Sequence, residues 1–311
     1  MFKLRVGYFI TGISTGLILL FTFLWTLPDG KLHIVFCDVG QGDGAYIRFP
    51  DGRDMVVDGG PNDKIIECLS KHMPFWDRKI DLVFMTHPQK DHMQGLISVF
   101  ERYTVDYFVR SDIDNTTEGY KKLEDVVGQR RIPVRFMTGG KEITVGSTRL
   151  DMLWPSEEQI AKAQEFKRSH LADSQGEILQ GKEIVLGATV GDLNDYSLVF
   201  RLRYGTFDVV FTGDADQHVE NQYVGKKLSD DTIEVLKVPH HGSKTGMTDA
   251  FIEWVKPALA VISVGKNSYG HPSDKALTQL AAVNAKVLRT DQKGDIEVVS
   301  DGRGWIIINP L

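Results

Sequence analysis

Short apolar runs, each closed by a turn that carries histidine or aspartate, set the terms on which this chain can fold. Ile80-Asp81-Leu82-Val83-Phe84-Met85 leads into Thr86-His87, Phe207 to Thr212 into Gly213-Asp214, Val235 to Val238 into Pro239-His240-His241, and Leu259 to Val264 into a loop that reaches His271. Runs of this length, bounded by turn residues, read as buried strands. Leu32 to Phe36, Ala45 to Phe49, Met55 to Val57, Tyr107 to Val109 and Ser197 to Leu202 extend the set, with a tight Gly40-Gln41-Gly42-Asp43-Gly44 turn between the first two. Helical patterns fall between them at residues 62–73, Gly95 to Tyr103, Thr248 to Val255 and Lys275 to Val283. The theme begins again near residue 143, and strands at 287–289, 296–299 and 305–308 close that second half. Two mixed halves, each a sheet faced by helices, predict an α+β chain in four layers, αββα. The segment from Glu157 to Asp195 is polar, partly helical and poor in apolar periodicity, and reads either as a long insertion or lid, or as a loose surface excursion.

Ahead of this pattern, Lys3 and Arg5 precede an uncharged stretch from Val6 to Leu27 rich in Ile, Leu, Phe and Val. At a rise of ~1.5 Å per helical residue it is long enough to cross ~30 Å of hydrocarbon. A buried core helix would show a polar face, and a cleaved signal peptide would be shorter and end in a small-x-small site rather than Trp25-Thr26-Leu27-Pro28. One N-terminal transmembrane helix is therefore expected, with residues 1–30 as a membrane anchor and 31–311 as the globular domain. The cationic residues before the helix keep the N-terminus cytoplasmic and put the large domain on the extracytoplasmic side. Because this is the single spanning candidate, any transport role requires a separate channel protein.

The bulk composition, 42% hydrophobic and 25% charged, belongs to a folded domain and excludes disorder. A net charge of −6 argues against a broad basic surface for nucleic acid, although bound divalent ions neutralise phosphates locally. Cys37 and Cys68 are too few for a disulfide framework or a thiolate metal site. They read as two buried thiols, with a single disulfide the other outcome open to an exported domain.

Thr86-His87-Pro88-Gln89-Lys90-Asp91-His92 places two imidazoles and a carboxylate on a turn between strand and helix, where they can converge on a small cation. Alone, the string is equally a solvated polar loop. Five of the nine histidines, however, fall at predicted strand ends: His87, His92, His240, His241 and His271. Scattered core histidines would not do that, whereas a site built along one sheet edge would. His33, His72, His170 and His218 are left as structural or surface residues.

The ordered set Asp38-Val39-Gly40-Gln41-Gly42-Asp43, Asp58-Gly59-Gly60, His87 to His92, Ser197-Leu198-Val199, Thr212-Gly213-Asp214, Pro239-His240-His241-Gly242-Ser243 and Tyr269-Gly270-His271-Pro272-Ser273 resembles the hydrolase domain of ComEC-type competence proteins, over about residues 32 to 299. The resemblance implies a metallo-β-lactamase fold with one or two divalent ions, zinc or manganese, at the edge between the sheets. It also implies degradation of the DNA strand that is not imported. Carried over by residue, His87 and Gln89 face a first metal and Asp91 and His92 a second; Asp214 bridges them, and His241, with His240 and His271, completes the coordination or contacts phosphate. Asp58 resembles the structural aspartate beneath the metal loop, and Asp43 either orients a ligand or closes its glycine-rich turn. Two departures stand out. Gln89 puts a neutral amide where relatives carry histidine or aspartate, and Asn194-Asp195-Tyr196-Ser197 occupies the stretch where many metallo-β-lactamases carry a further histidine.

The function expected is that of a metal-dependent phosphodiester hydrolase, an anchored extracytoplasmic nuclease acting on DNA. Asp91, His240 and His271 are the expected catalytic residues, the histidines stabilising charge or protonating the leaving oxygen. Lys244 reads either as a phosphate contact or as a solvated lysine. Two rivals remain: a phosphodiesterase on envelope groups such as phosphocholine esters, and a non-catalytic, metal-stabilised binding module, which Gln89 keeps open.

Overall fold

In the computed structural model, which describes residues 2–25, 27–174, 192–225 and 233–308, apolar strands stack into two facing sheets. Helix α1 (Phe2–Trp25) leads into β1 (Leu32–Phe36), β2 (Gly44–Arg48) and β3 (Asp54–Gly59), an antiparallel meander. Crossovers through α2 (Lys64–His72), α3 (Lys90–Arg102) and α4 (Glu118–Arg130) then add β4 (Lys79–Met85), β5 (Thr104–Arg110) and β6 (Val134–Phe136) in parallel. The second sheet opens on the hairpin β7 (Glu142–Val145) and β8 (Thr148–Trp154), passes through α5 (Glu157–Ser174), and continues with antiparallel β9 (Val199–Tyr204) and β10 (Phe207–Phe211). After α6 (Gln217–Glu220) come β11 (Val235–Lys237), α7 (Asp249–Val255), β12 (Leu259–Ile262), α8 (Asp274–Ala282) and β13 (Lys286–Arg289), the strands parallel. A turn of helix, α9 (Thr290–Lys293), precedes the hairpin β14 (Ile296–Ser300) and β15 (Trp305–Ile308).

That last hairpin departs from the sequence reading, which placed it with the second half. β14 pairs antiparallel with β1, from Leu32 opposite Ser300 to Phe36 opposite Ile296, so the first sheet has the order β15-β14-β1-β2-β3-β4-β5-β6. Periodicity specifies a strand and its faces but not its neighbour. Here Ile296 and Val298 extend the inter-sheet core beside Ile34 and Phe36, and the pairing covers what would otherwise be an open edge at β1.

Side chains that alternate along a strand serve different cores. Ile34 and Phe36 of β1, Met55 and Val57 of β3, and Leu82 and Phe84 of β4 face the opposite sheet, where Phe200 and Phe211 stack with ring centroids 4.9 Å apart. Val35, Val56 and Val83 point outward beneath α2, α3 and α4, while Val210, Leu236 and Ala260 pack beneath α7 and α8. Both faces are buried, which is why these strands read as continuous apolar runs. Helix α3 lies directly on β3: a Cβ on Gly95 would sit 2.0 Å from the Gly59 carbonyl oxygen, so only glycine allows this approach. The contact brings Asp91 and His92, in the first turn of α3, over the ends of β3 and β4.

Cys37 and Cys68, read as thiols, form a disulfide with a Cα–Cα distance of 5.8 Å, tying the end of β1 to α2. The pairing requires α2 to fold back over the sheet, which nothing in the spacing announces. The polar segment after Trp154 begins with the helix that its partly helical reading allows, burying Ile160 and Ala163 against Ile113 and Tyr196; residues 175–191, the heart of the expected lid, lie outside the described residues. At the N-terminus a helix forms where the apolar stretch predicts it, and Tyr8, Phe9 and Leu17 on it are exposed. Among the described residues no helix is long and apolar enough to cross a membrane.

Closing a loop of sequence separation 31 removes conformational freedom from the unfolded chain. The double variant Cys37→Ala, Cys68→Ala should lose about 3–4 kcal/mol in urea unfolding, and an unchanged midpoint would show that the bridge contributes nothing to stability.

Candidate metal centre

The site forms where strands of both sheets end side by side. Asp58, at the end of β3, adopts φ 56°, a left-handed conformation uncommon for a residue with a side chain. Its fully buried carboxylate accepts the backbone N–H of Thr86 at 2.7 Å, the Thr86 hydroxyl at 2.7 Å and His92 Nδ1 at 2.8 Å. A ring held at Nδ1 presents Nε2 outward, the arrangement in which histidine ligates metal. From the other sheet, Asp214 follows β10, its N–H bonded to the Ser197 hydroxyl at 3.2 Å. His240 and His241 follow β11 in consecutive left-handed conformations (φ 46° and 52°), and His241 Nδ1 donates to the Ser263 carbonyl at 2.9 Å. Unfavourable backbone of this kind persists where surrounding contacts fix it, and it concentrates at functional sites.

Donor atoms of Asp91, His92, Asp214 and His241 all lie within 4.8 Å of one another. His92 Nε2 stands 3.2 Å from Asp214 Oδ1, and His241 Nε2 stands 3.3 Å from Asp214 Oδ2 and 3.6 Å from Asp91 Oδ2. Despite these separations, His92 Nε2, Asp214 Oδ1 and His241 Nε2 are buried without a hydrogen bond, as is His87 Nε2. Each such atom costs roughly 1–3 kcal/mol if left so. A divalent cation among Asp91, His92, Asp214 and His241 would satisfy the donor atoms of that group together. A mixed imidazole and carboxylate donor set suits zinc or the harder first-row ions.

The other expected ligands stand around this group. The His87 ring lies 4.0 Å from that of His92, and His271 lies 5.6 Å from the ring of His240 and 6.5 Å from that of His241. Gln89 caps α3 and turns its amide toward Asp192, 3.5 Å away. His240 Nδ1 is 3.4 Å from Asp216 and its Nε2 is 3.9 Å from Asp214. Lys244 is exposed, its carbonyl accepting from Lys275. The cation at the centre is instead Lys237, which the sequence reading passed over: it is buried, ion-paired to Asp43, bonded to the Gly213 carbonyl at 3.1 Å and 3.8 Å from Asp214. Asp43 also lies 3.2 Å from His241 Nδ1, so of its two readings the geometry favours orienting a ligand over closing a turn. Asp216, which receives the Thr245 hydroxyl at 2.8 Å as well as His240, was likewise missed. A second grouping, Cys68 with His72 and Asp295, offers no thiolate because Cys68 is in the disulfide.

Burial dominates the electrostatics. It pushes His87 down to about 3, and the neighbouring charge on His92 adds to the effect. Burial also opposes charge on His92 and His241, but Asp214, with Asp58 on one and Asp43 on the other, outweighs it and holds both well above the ordinary histidine value. Asp214 is held well below the carboxylate range by those two rings against its burial, and Asp43 is lowered by Lys237 and His241 in the same way. The metal-free site is thus charge-compensated by its own protons. A metal ion takes over that compensation by displacing them.

The sheet order and the strand-end cluster define a two-sheet hydrolase fold with a metal-binding edge. Residues 37–266 match the metallo-beta-lactamase superfamily, and the chain belongs to it. Its homologues are ComEC-type competence proteins: it is 30% identical over 91% of its length to ComE operon protein 3 of Bacillus subtilis and 25% identical over 92% to Recombination protein 2 of Haemophilus influenzae. The chain spans about a third of each, 34% and 31%. Among solved structures it resembles Igni18, a metallo hydrolase from Ignicoccus hospitalis, with TM-score 0.50 and 13% identity over 90% of this chain and 100% of that one.

Asp58→Asn keeps the shape of the buried group but removes the charge that orients His92. Metal affinity, measured by competition with a chromophoric chelator, should fall roughly 10–100-fold; an unchanged affinity would mean that His92 needs no such support.

Proposed function

We propose that this protein is a membrane-anchored, extracytoplasmic phosphodiester hydrolase, a nuclease that cuts DNA with the help of one or two zinc or manganese ions. The convergence of Asp91, His92, Asp214 and His241 carries the reading, and descent shared with competence proteins supports DNA as the substrate. Asp91, His92, Asp214 and His241 would hold the metal, with His87 and His271 as further donors and Gln89 as a weak one. A divalent ion there supplies charge for the phosphate oxygens and lowers the pKa of water.

The chain's own groups do the rest. Asp216 and Asp214 outweigh the burial of His240 and raise its pKa, which suits it to give a proton to the leaving oxygen. His271, its pKa lowered by burial and by the charges of His240 and His241, serves as the further metal donor or as a hydrogen-bonding partner for phosphate. Lys237 neutralises Asp43 beneath the ligands, which leaves Asp214 free to serve the cation.

One feature supports a place outside the cytoplasm and a second supports attachment to a membrane. The Cys37–Cys68 disulfide belongs to an oxidising compartment, and the exposed apolar side chains of α1 require a non-aqueous surrounding. A separate channel protein is the partner expected for strand import.

The full chain in detergent should degrade plasmid and single-stranded DNA in manganese or zinc, with activity falling to background in EDTA and in Asp214→Asn. Intact DNA alongside turnover of phosphocholine esters would replace the substrate, and bound metal with no turnover of any phosphodiester would make the protein a binding module. On fractionation, full-length protein should sediment with membranes and resist carbonate extraction, and the deletion of residues 1–27 should be released; identical behaviour of the two would remove the anchor.

A further inference from the structure

The loop between β12 and α8 carries a feature that the metal centre does not explain. Tyr269 is 74% exposed, more than any other described large apolar side chain of the globular part. Its ring lies 5.7 Å from that of His271 with the planes 32° apart, and His271 in turn stands 6.5 Å from His241. The loop that presents it is braced. The Asn267 amide donates to the carbonyls of Gly265 and His271, both at 2.9 Å, and its oxygen accepts the N–H of Tyr269 at 3.1 Å and of His271 at 3.0 Å. At its base, the Gly265 N–H donates to the Gln41 side chain at 3.3 Å, fixing the loop to the glycine-rich turn of the other sheet.

These bonds fix the backbone on both sides of Tyr269, so the exposed ring projects from a defined position beside His271. A braced, exposed face costs little entropy to use. Quaternary ammonium groups are recognised by cages of several rings, whereas a single ring on a loop beside a phosphate-processing centre matches the way unpaired bases are bound. Exposed Lys266 on the same loop adds a charge for the backbone of the strand.

We propose that Tyr269 is a stacking platform for one unpaired nucleobase, next to the phosphate bound at the metal centre. This rests on the nuclease reading and specifies it further, because bases stacked within a duplex offer no free face to the ring.

The test is binding, measured with EDTA-treated full-length protein in detergent by fluorescence anisotropy, using a labelled oligothymidylate and an abasic strand of equal length. Wild type should prefer the base-bearing strand on the order of ten-fold. Tyr269→Ala should abolish the preference while leaving the abasic affinity unchanged, and Tyr269→Phe should retain it. Absence of a base preference in wild type, failure to bind either strand included, would overturn the platform, as would Tyr269→Ala weakening both strands alike. The two readings fail separately: base-selective binding without metal-dependent cleavage sinks the nuclease and keeps the platform, and cleavage without base selectivity does the reverse.

Discussion

Asp58 has no access to water, yet its two oxygens receive the Thr86 backbone, the Thr86 hydroxyl and the His92 ring. Burial raises its pKa and works against the ionised form, while the charge and hydrogen bond of His92 oppose that effect. The carboxylate and the ring therefore need each other: either alone would be a buried charge without compensation. The turn from β4 into α3 is built on this pair, and so is the direction of the His92 lone pair. Asp43 plays the matching part for the other sheet, set between Lys237 and His241. Each half thus brings one ligand histidine, and both are backed by buried carboxylates of the first half.

The halves are joined at the level of the backbone as well. The Leu198 N–H donates to the Thr86 carbonyl at 2.9 Å, so the entry to β9 is tied to the loop after β4. Beneath that link lies the shared aromatic layer, with Phe84 packed on Phe200 at 5.2 Å and Phe36 stacked near Phe211 at 5.8 Å. These rings set the spacing of the two sheets, and so the separation of ligands contributed by different strands. Interiors this closely packed resist small displacements. A core substitution far from the centre can therefore shift the ligand atoms without touching any of them.

Much of this was legible in the sequence because the relevant signals are local. Doubly buried strands must be apolar throughout, and a histidine directly after such a strand is at a sheet edge, so Thr86-His87, Gly213-Asp214 and Pro239-His240-His241 announced their positions. What stayed hidden depends on pairings between distant segments. Cys37 meets Cys68 only because α2 returns across the sheet, and β14 joins β1 rather than β13 because a strand's sequence fixes its faces and not its neighbour. Lys237 reads as an ordinary polar strand end, since nothing nearby reveals that Asp43, almost two hundred residues earlier, will neutralise it. Asn267 is similar: an asparagine in a loop is commonplace, and its brace on Tyr269 and His271 exists only in the folded turn.

The ligand positions are scattered along the chain, at 91 and 92 in one sheet and at 214 and 241 in the other. No stretch of unfolded polypeptide presents all four together, so an ion held by all of them favours the state in which the sheets are packed. Whatever affinity the assembled site has beyond that of the separated halves would add to the stability of the folded protein. The complete donor set therefore exists only where the two halves are packed together.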